Sequence, residues 1–249
     1  MHRFANPAQF LRLAALVLPW SAIATLLLLG SGLYFGLLAS PADYQQGETV
    51  RIMYVHVPSA WLAMACYSTM AIASAVGLIW KHPLADLTAK ASAPVGAAFT
   101  FLCLVTGSLW GRPMWGTWWA WDARLTSMAI LLFLYLGYMA LVNAFDDPNR
   151  GARAAAILAL AGTVNLPIIK FSVDWWNTLH QPASVTKLGM PSIDPSMLLP
   201  LLLMGVGFTT LFLTLLLLRV RSEIVAAKIR AIRLTQIHAA PAAQAATAG

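Results

Sequence analysis

Charge is what this chain has least of. Of 249 residues only 10% are Asp, Glu, Lys or Arg, and just nine are acidic, whereas a soluble domain carries about 25% charged residues. Six stretches hold none of the four: Leu13 to Ala42, Ile52 to Trp80, Ala91 to Gly111, Leu125 to Phe145, Ala154 to Ile169 and Pro195 to Leu218. A helical span of a bilayer core needs roughly 20 apolar residues. Five stretches have that length. The shorter one, Ala154 to Ile169, is bounded by Arg153 and Lys170, which can snorkel. An ordinary soluble fold is excluded, and an all-α integral membrane protein with six transmembrane helices is expected. The first stretch is too long for a signal-peptide core and shows no clear cleavage site, so it is read as part of the mature chain.

Cysteine is nearly absent too. Cys66 and Cys103 are the only two. They fall inside spans two and three without CxxC spacing, and small buried core residues are the expected reading rather than a disulfide or a metal pair. No CxxCH occurs, so the chain does not itself attach haem by thioether bonds. No internal repeat is visible, which removes the inverted-repeat signature of many transporters. No span holds an ionisable residue deep in the bilayer, whereas ion-coupled transport usually requires one. A ligand path from the side is therefore expected over a central channel.

The net charge of +7 is distributed for a membrane rather than for nucleic acid. Arg3, Arg12, Lys81, Lys90, Arg150, Arg153, Arg219, Arg221, Lys228, Arg230 and Arg233 fall on one side by the expected topology. Arg51, Arg112, Arg124, Lys170 and Lys187 fall on the other. The positive-inside rule then puts both termini in the cytoplasm. Residues 1–238 read as a single six-helix membrane domain with a basic end anchored to anionic lipid. The Ala-rich stretch 239–249 reads as a disordered cytoplasmic tail.

Against this background the segment Trp115 to Ser127, WGTWWAWDARLTS, stands out. Seven of the ten tryptophans lie on or near the outer face: Trp110, Trp115, Trp118, Trp119, Trp121, Trp175 and Trp176. Interfacial belts normally occupy both surfaces. If the segment is helical, Trp115, Trp118, Trp119 and Asp122 share one face. Gly111, Pro113 and Gly116 are expected to break it from span three and lay it along the surface. Two readings stay open: an interfacial helix fixing two spans, or an aromatic platform for a flat apolar ligand with a polar edge. Asp122 also fits as N-cap of the fourth span, before Ala123-Arg124-Leu125.

Of five histidines, His2, His82 and His238 fall on the cytoplasmic side. His56 and His180 fall on the outer side, each two residues before a proline (Pro58, Pro182). Proline disfavours helix in the residue before it and suits a first turn, so His56 is expected just above helix two and His180 in the loop between helices five and six. Zinc wants three or four protein ligands, and no third is placed. A haem iron needs only axial ligands, which histidine supplies. Porphyrin faces suit indoles. Propionates suit Arg51, Arg112, Arg124 or Lys187, since arginine grips a carboxylate through paired hydrogen bonds. The bland alternative is that each histidine bonds only locally.

The run Trp115-Gly116-Thr117-Trp118-Trp119-Ala120-Trp121-Asp122 resembles the WWD signature of membrane haem-handling proteins. Its continuation to Ser127, with Tyr54-Val55-His56-Val57-Pro58 and Trp175-Trp176-Asn177-Thr178-Leu179-His180-Gln181-Pro182, is similar to the cytochrome c maturation branch, the haem exporter protein C family, over roughly residues 10 to 220. The resemblance implies a non-enzymatic protein of the bacterial inner membrane that holds haem b at the periplasmic face. His56 and His180 would be the axial ligands. The WWD segment (110–127), with Trp115, Trp118, Trp119, Trp121 and Asp122, would be the haem platform. It further implies delivery to a haem chaperone, protein E, with support for covalent attachment of a haem vinyl to that chaperone. A small membrane protein D and ATP-binding cassette subunits A and B would be partners. Without the resemblance, a cytochrome b-like electron-transfer subunit is the runner-up. It usually needs four histidines inside helices. A permease would need polar midplane residues, for which Asn165-Leu166-Pro167 is the one candidate.

Overall fold

The computed structural model describes residues 6–181, 185 and 189–247, with the side chains of 234 and 237–247 left aside. Its described elements are helical: α1 Pro7–Tyr34, α2 Met53–Trp80, α3 Pro83–Trp115, α4 Ala123–Asn143, α5 Pro148–Ala161, α6 Asn165–Trp175 and α7 Pro195–Thr247. By length and composition they give six helices able to cross a membrane, α5 and α6 counting as one. Leu13, Leu16, Trp20, Leu26 and Leu27 on α1 lie exposed, as lipid-facing apolar side chains do.

Local chemistry sets the ends. Asn6 caps α1 by accepting from the Ala8 N–H at 2.9 Å, with Pro7 in the first turn. Asp147 and Pro148 start α5 the same way, through the Asn149 N–H at 2.9 Å. Both pairs follow the preference for a short polar cap and then proline. Lys81, in the left-handed region at φ 50°, ends α2 and turns the chain straight into α3.

Charged residues do not end the helices where the hydrophobic runs stop. Asp86 and Lys90 lie between the second and third charge-free runs, yet they fall within α3 and not in a link between spans. That helix has 33 residues, about 50 Å at 1.5 Å per residue, against a hydrocarbon core of about 30 Å. Its first turns therefore have room to carry charge beyond the core. At that end Lys90 pairs with Glu223 of α7 at 2.9 Å, and Arg219 donates to the Ala91 carbonyl at 3.2 Å. The backbone of α7 is helical to Thr247, across the alanine-rich stretch expected to be disordered. Alanine has the highest helix propensity of any residue.

The fifth span is kinked. A 3₁₀ turn over Gly162–Val164 separates α5 from α6. Pro167 lacks the N–H that would reach the Thr163 carbonyl four residues back, and its ring crowds that carbonyl. Asn165 is buried and donates to the Ser127 carbonyl of α4 at 2.9 Å. It ties two spans together and does not stand free at a midplane.

Close approach between helices comes from small residues on α3. Ala89, Ala93, Gly96, Thr100 and Cys103 form one buried stripe at alternating spacings of three and four. Small residues let backbones and large partners approach in lipid, where no hydrophobic force drives helices together. Tyr135, fully buried, lies directly over Gly96 and donates to the Ala63 carbonyl of α2 at 2.8 Å. At the α1–α7 contact, Thr214 donates to Ser21 at 3.0 Å, and Leu29 packs on Gly207.

A Cβ at residue 96 would collide with the Tyr135 ring. Gly96→Ala is therefore expected to cost about 1–3 kcal/mol through overpacking. A lowered Tm in a thermal scan of detergent-solubilised protein measures it. Gly30→Ala, which meets nothing within 4 Å, serves as the neutral control.

Candidate functional site

The stripe on α3 continues to Gly107 and Gly111, and there the site is built. Helix α2 opens with a 3₁₀ turn, Glu48–Ile52, and is α-helical from Met53. His56 therefore sits inside the first turns of α2, not above them. Pro58, the sixth residue of α2, stands inside the helix and lacks the N–H that would reach the Tyr54 carbonyl four residues back. The imidazole crosses to α3. Nδ1 lies 3.1 Å from the Cys103 carbonyl and 3.1 Å from Thr106 Oγ1, and Cε1 rests where a Cβ on Gly107 would meet it at 2.9 Å. A carbonyl only accepts, so Nδ1 carries the proton and Nε2 keeps its lone pair. Trp110 closes one side, edge to face at 5.7 Å, and is held by its own indole N–H to Gln46 at 2.9 Å.

One turn further along α3, the Trp115 ring covers Gly111, where a Cβ would meet it at 2.9 Å. Gly111 and Pro113 do not interrupt the helix as expected; α3 runs through both to Trp115. It ends at Gly116, whose φ of 75° is the left-handed conformation glycine adopts without steric cost. From there to Asp122 the chain is not helical. The single helical face of Trp115, Trp118, Trp119 and Asp122 is thus corrected: a run this rich in indoles lies against a helix end without forming one. Ser108 donates to the Trp118 carbonyl at 2.8 Å, and Thr117 to the Trp119 carbonyl at 2.9 Å. These bonds fold the segment back over α3.

The four tryptophans part company. Trp115 packs against His180, ring centres 4.9 Å apart. Trp119 is half-buried, and its Nε1 has no hydrogen-bond partner among the described residues. Trp118, 56% exposed, lies beneath the Arg112 guanidinium at 5.9 Å. Trp121, 83% exposed, contacts Trp119 edge-on at 5.5 Å.

Asp122 does two jobs with two oxygens. Oδ1 caps α4 by accepting from the Leu125 N–H at 2.7 Å. Oδ2 faces His180 Nδ1 at 3.3 Å and the Leu179 N–H at 3.3 Å. Burial works against its charge, but the bonds from His180, Leu125 and Leu179 outweigh that and hold the carboxyl below the ordinary 3.8. The carboxylate keeps a proton on His180 Nδ1, so Nε2 is the atom that a neutral His180 ring offers to a ligand.

Both histidines thus approach the same stretch of α3, His56 over Gly107 and His180 on Trp115 over Gly111. The spacing Gly107-Ser108-Leu109-Trp110-Gly111 is the sequence signal that foretold this floor. It went unread, as did the Cys103 carbonyl, a backbone atom to which no residue type points.

The arginines have prior attachments. Arg51 bonds Glu48 and the Leu37 carbonyl at the end of α1's extension. Arg124 reaches Ser172 Oγ at 3.1 Å and the carbonyls of Ile169 and Lys170 at 3.3 Å, tying α4 to α6. Arg112 bonds the Gly116 carbonyl and is otherwise exposed. Lys187 and Pro182 lie outside the described residues.

A six-span bundle of this hydropathy, with two imidazoles and exposed indoles gathered at one end, is a multi-pass membrane protein. The chain belongs to the family described as "Heme exporter protein C", which matches residues 1–235. It is 62% identical over 232 residues to "Heme exporter protein C" of Bradyrhizobium diazoefficiens, covering 93% of this chain and 88% of that one. The Haemophilus influenzae protein of the same name is 55% identical over 224 residues, 90% of this chain and 91% of the relative. The Escherichia coli one is 51% identical over 224 residues, 90% of each.

A carboxyl with a lowered folded pKa adds stability that is complete above the unfolded value and disappears as pH falls through the lowered one. Acid is therefore expected to release the Leu179–His180 segment from Asp122, with the change falling below the ordinary carboxylate value of 3.8. Tryptophan fluorescence or backbone hydrogen exchange at 177–181 follows it. In Asp122→Asn the transition should vanish.

Proposed function

We propose that this protein holds haem b between His56 and His180 at the periplasmic end of its bundle and hands it to a haem chaperone during c-type cytochrome assembly. The observation carrying this reading is the pair of Nδ1 bonds. Cys103 and Asp122 each engage the Nδ1 of one imidazole, which leaves each Nε2 the lone pair that axial ligation requires. Haem iron takes its equatorial nitrogens from the porphyrin and asks the protein for axial ligands alone. The residues fit that demand: two imidazoles, indole walls at Trp110 and Trp115, and a buried donor at Trp119 Nε1 without a partner among the described residues.

Haem here is cargo, and the chain's residues hold and orient it. Asp122 aims His180. Trp118 and Trp121, exposed at the rim, offer the porphyrin edge and its vinyl group to the chaperone. Arg112 is the propionate partner best supported, because Arg51 and Arg124 already fasten neighbouring helices while Arg112 remains exposed. The excess of basic residues at the opposite end supports cytoplasmic termini in the bacterial inner membrane and a periplasmic WWD segment. The family name supports an exporter assembly. Its expected members are a chaperone of the protein E type, a small membrane protein D and ATP-binding cassette subunits A and B.

His56→Ala and His180→Ala are each expected to abolish the low-spin bis-imidazole absorption of the purified protein and haem loading of the chaperone. Asp122→Asn should keep both ligands but weaken haem retention about 10- to 100-fold. Wild-type haem content in both alanine variants would overturn the assignment.

A further inference from the structure

The far end of α7 carries a surface that the haem site does not use. Leu218 is the last residue of the apolar run, and the helix continues unbroken through Arg233, roughly 20 Å past Arg219 at 1.5 Å per residue. Its inner face is filled. Val220 and Ile224 are buried against Leu84 and Leu87 of α3 and Phe10 and Leu11 of α1. On the opposite face Leu218, Val225, Ile229 and Ile232 are 45–50% exposed. Their spacings of seven, four and three residues place them on one seam of a helix. Cations flank that seam on both sides: Arg221 and Lys228 along one edge, Arg233 along the other. Glu223, the one acidic residue between Leu218 and Arg233, is turned away and paired with Lys90.

We propose that this seam docks an acidic amphipathic helix of a partner protein at the end of the bundle opposite the histidine pair. Apolar residues of that helix would pack on Val225, Ile229 and Ile232, and its carboxylates would face Arg221, Lys228 and Arg233. A second copy of this chain is a poor occupant, because two identical seams bring cation rows against each other. A lipid surface is also a poor occupant. A helix continuous with a span leaves the bilayer along its own axis, whereas a surface-bound helix lies in the membrane plane.

The test uses the full chain in nanodiscs of neutral lipid. A labelled synthetic helix with leucine at a and d and glutamate at e and g is titrated by fluorescence anisotropy beside its lysine counterpart. Binding of the glutamate helix alone, weakening with added salt, is expected. Ile229→Asp combined with Ile232→Asp should weaken it at least about tenfold. Arg221→Glu with Lys228→Glu and Arg233→Glu should invert the preference to the lysine helix. These side chains are exposed or at the edge of the packed body, and unchanged circular dichroism and thermal stability confirm the fold of each variant. Absence of binding, or equal binding to wild type and the Ile229/Ile232 variant, overturns the proposal. So does self-association through the seam, or a probe at residue 232 that enters anionic vesicles and is not displaced by the glutamate helix.

Discussion

One constraint underlies the molecule: in hydrocarbon, helices come together only where side chains are small enough to let them. The α3 stripe from Ala89 to Cys103 meets that condition, and its extension through Gly107 and Gly111 carries it out of the core to the tryptophan-rich end. Because no side chain stands at residue 107, the ring of His56 reaches the α3 backbone and bonds the Cys103 carbonyl. Because none stands at 111, Trp115 lies flat enough to meet His180. Helix packing and the placement of the two imidazoles are thus one arrangement, continuous along a single face of a single helix.

Several buried polar groups reach across to a neighbouring helix. Asn165, Tyr135, Thr214 and Arg124 each spend their donors on a neighbouring helix, since an unpaired donor in an apolar surrounding is costly. Trp119 Nε1 and Tyr67 Oη are buried without a hydrogen-bond partner among the described residues. Asp122 joins the two requirements. One oxygen finishes α4, and the other fixes the loop that carries His180.

Composition and spacing were enough to read much of this chain. The six charge-free runs became six spans, the lone cysteines became buried side chains, and Asp122 caps α4 as its neighbours implied. The WWD run with the two His-x-Pro segments led to the family. Less readable were the boundaries. Gly111 and Pro113 look like breakers, yet a helix tolerates both when the bundle packs around it. His56 precedes a proline closely enough to suggest a loop, yet α2 runs on through Pro58. Arg51, Arg112 and Arg124 looked equally free, because a sequence does not show which carbonyls a guanidinium will meet.

What the sequence alone determined was the solvent of each segment. Hydropathy is a local property, and six runs without charge have only one stable environment. It also determined which residue types stand near each membrane face. Only the tertiary structure decided which atom of each imidazole is committed, which tryptophan touches a histidine and which lie exposed. Those outcomes depend on contacts between residues far apart in the chain, such as His56 with Cys103 and His180 with Asp122. They are set by how closely two helices approach, a distance that no single residue encodes.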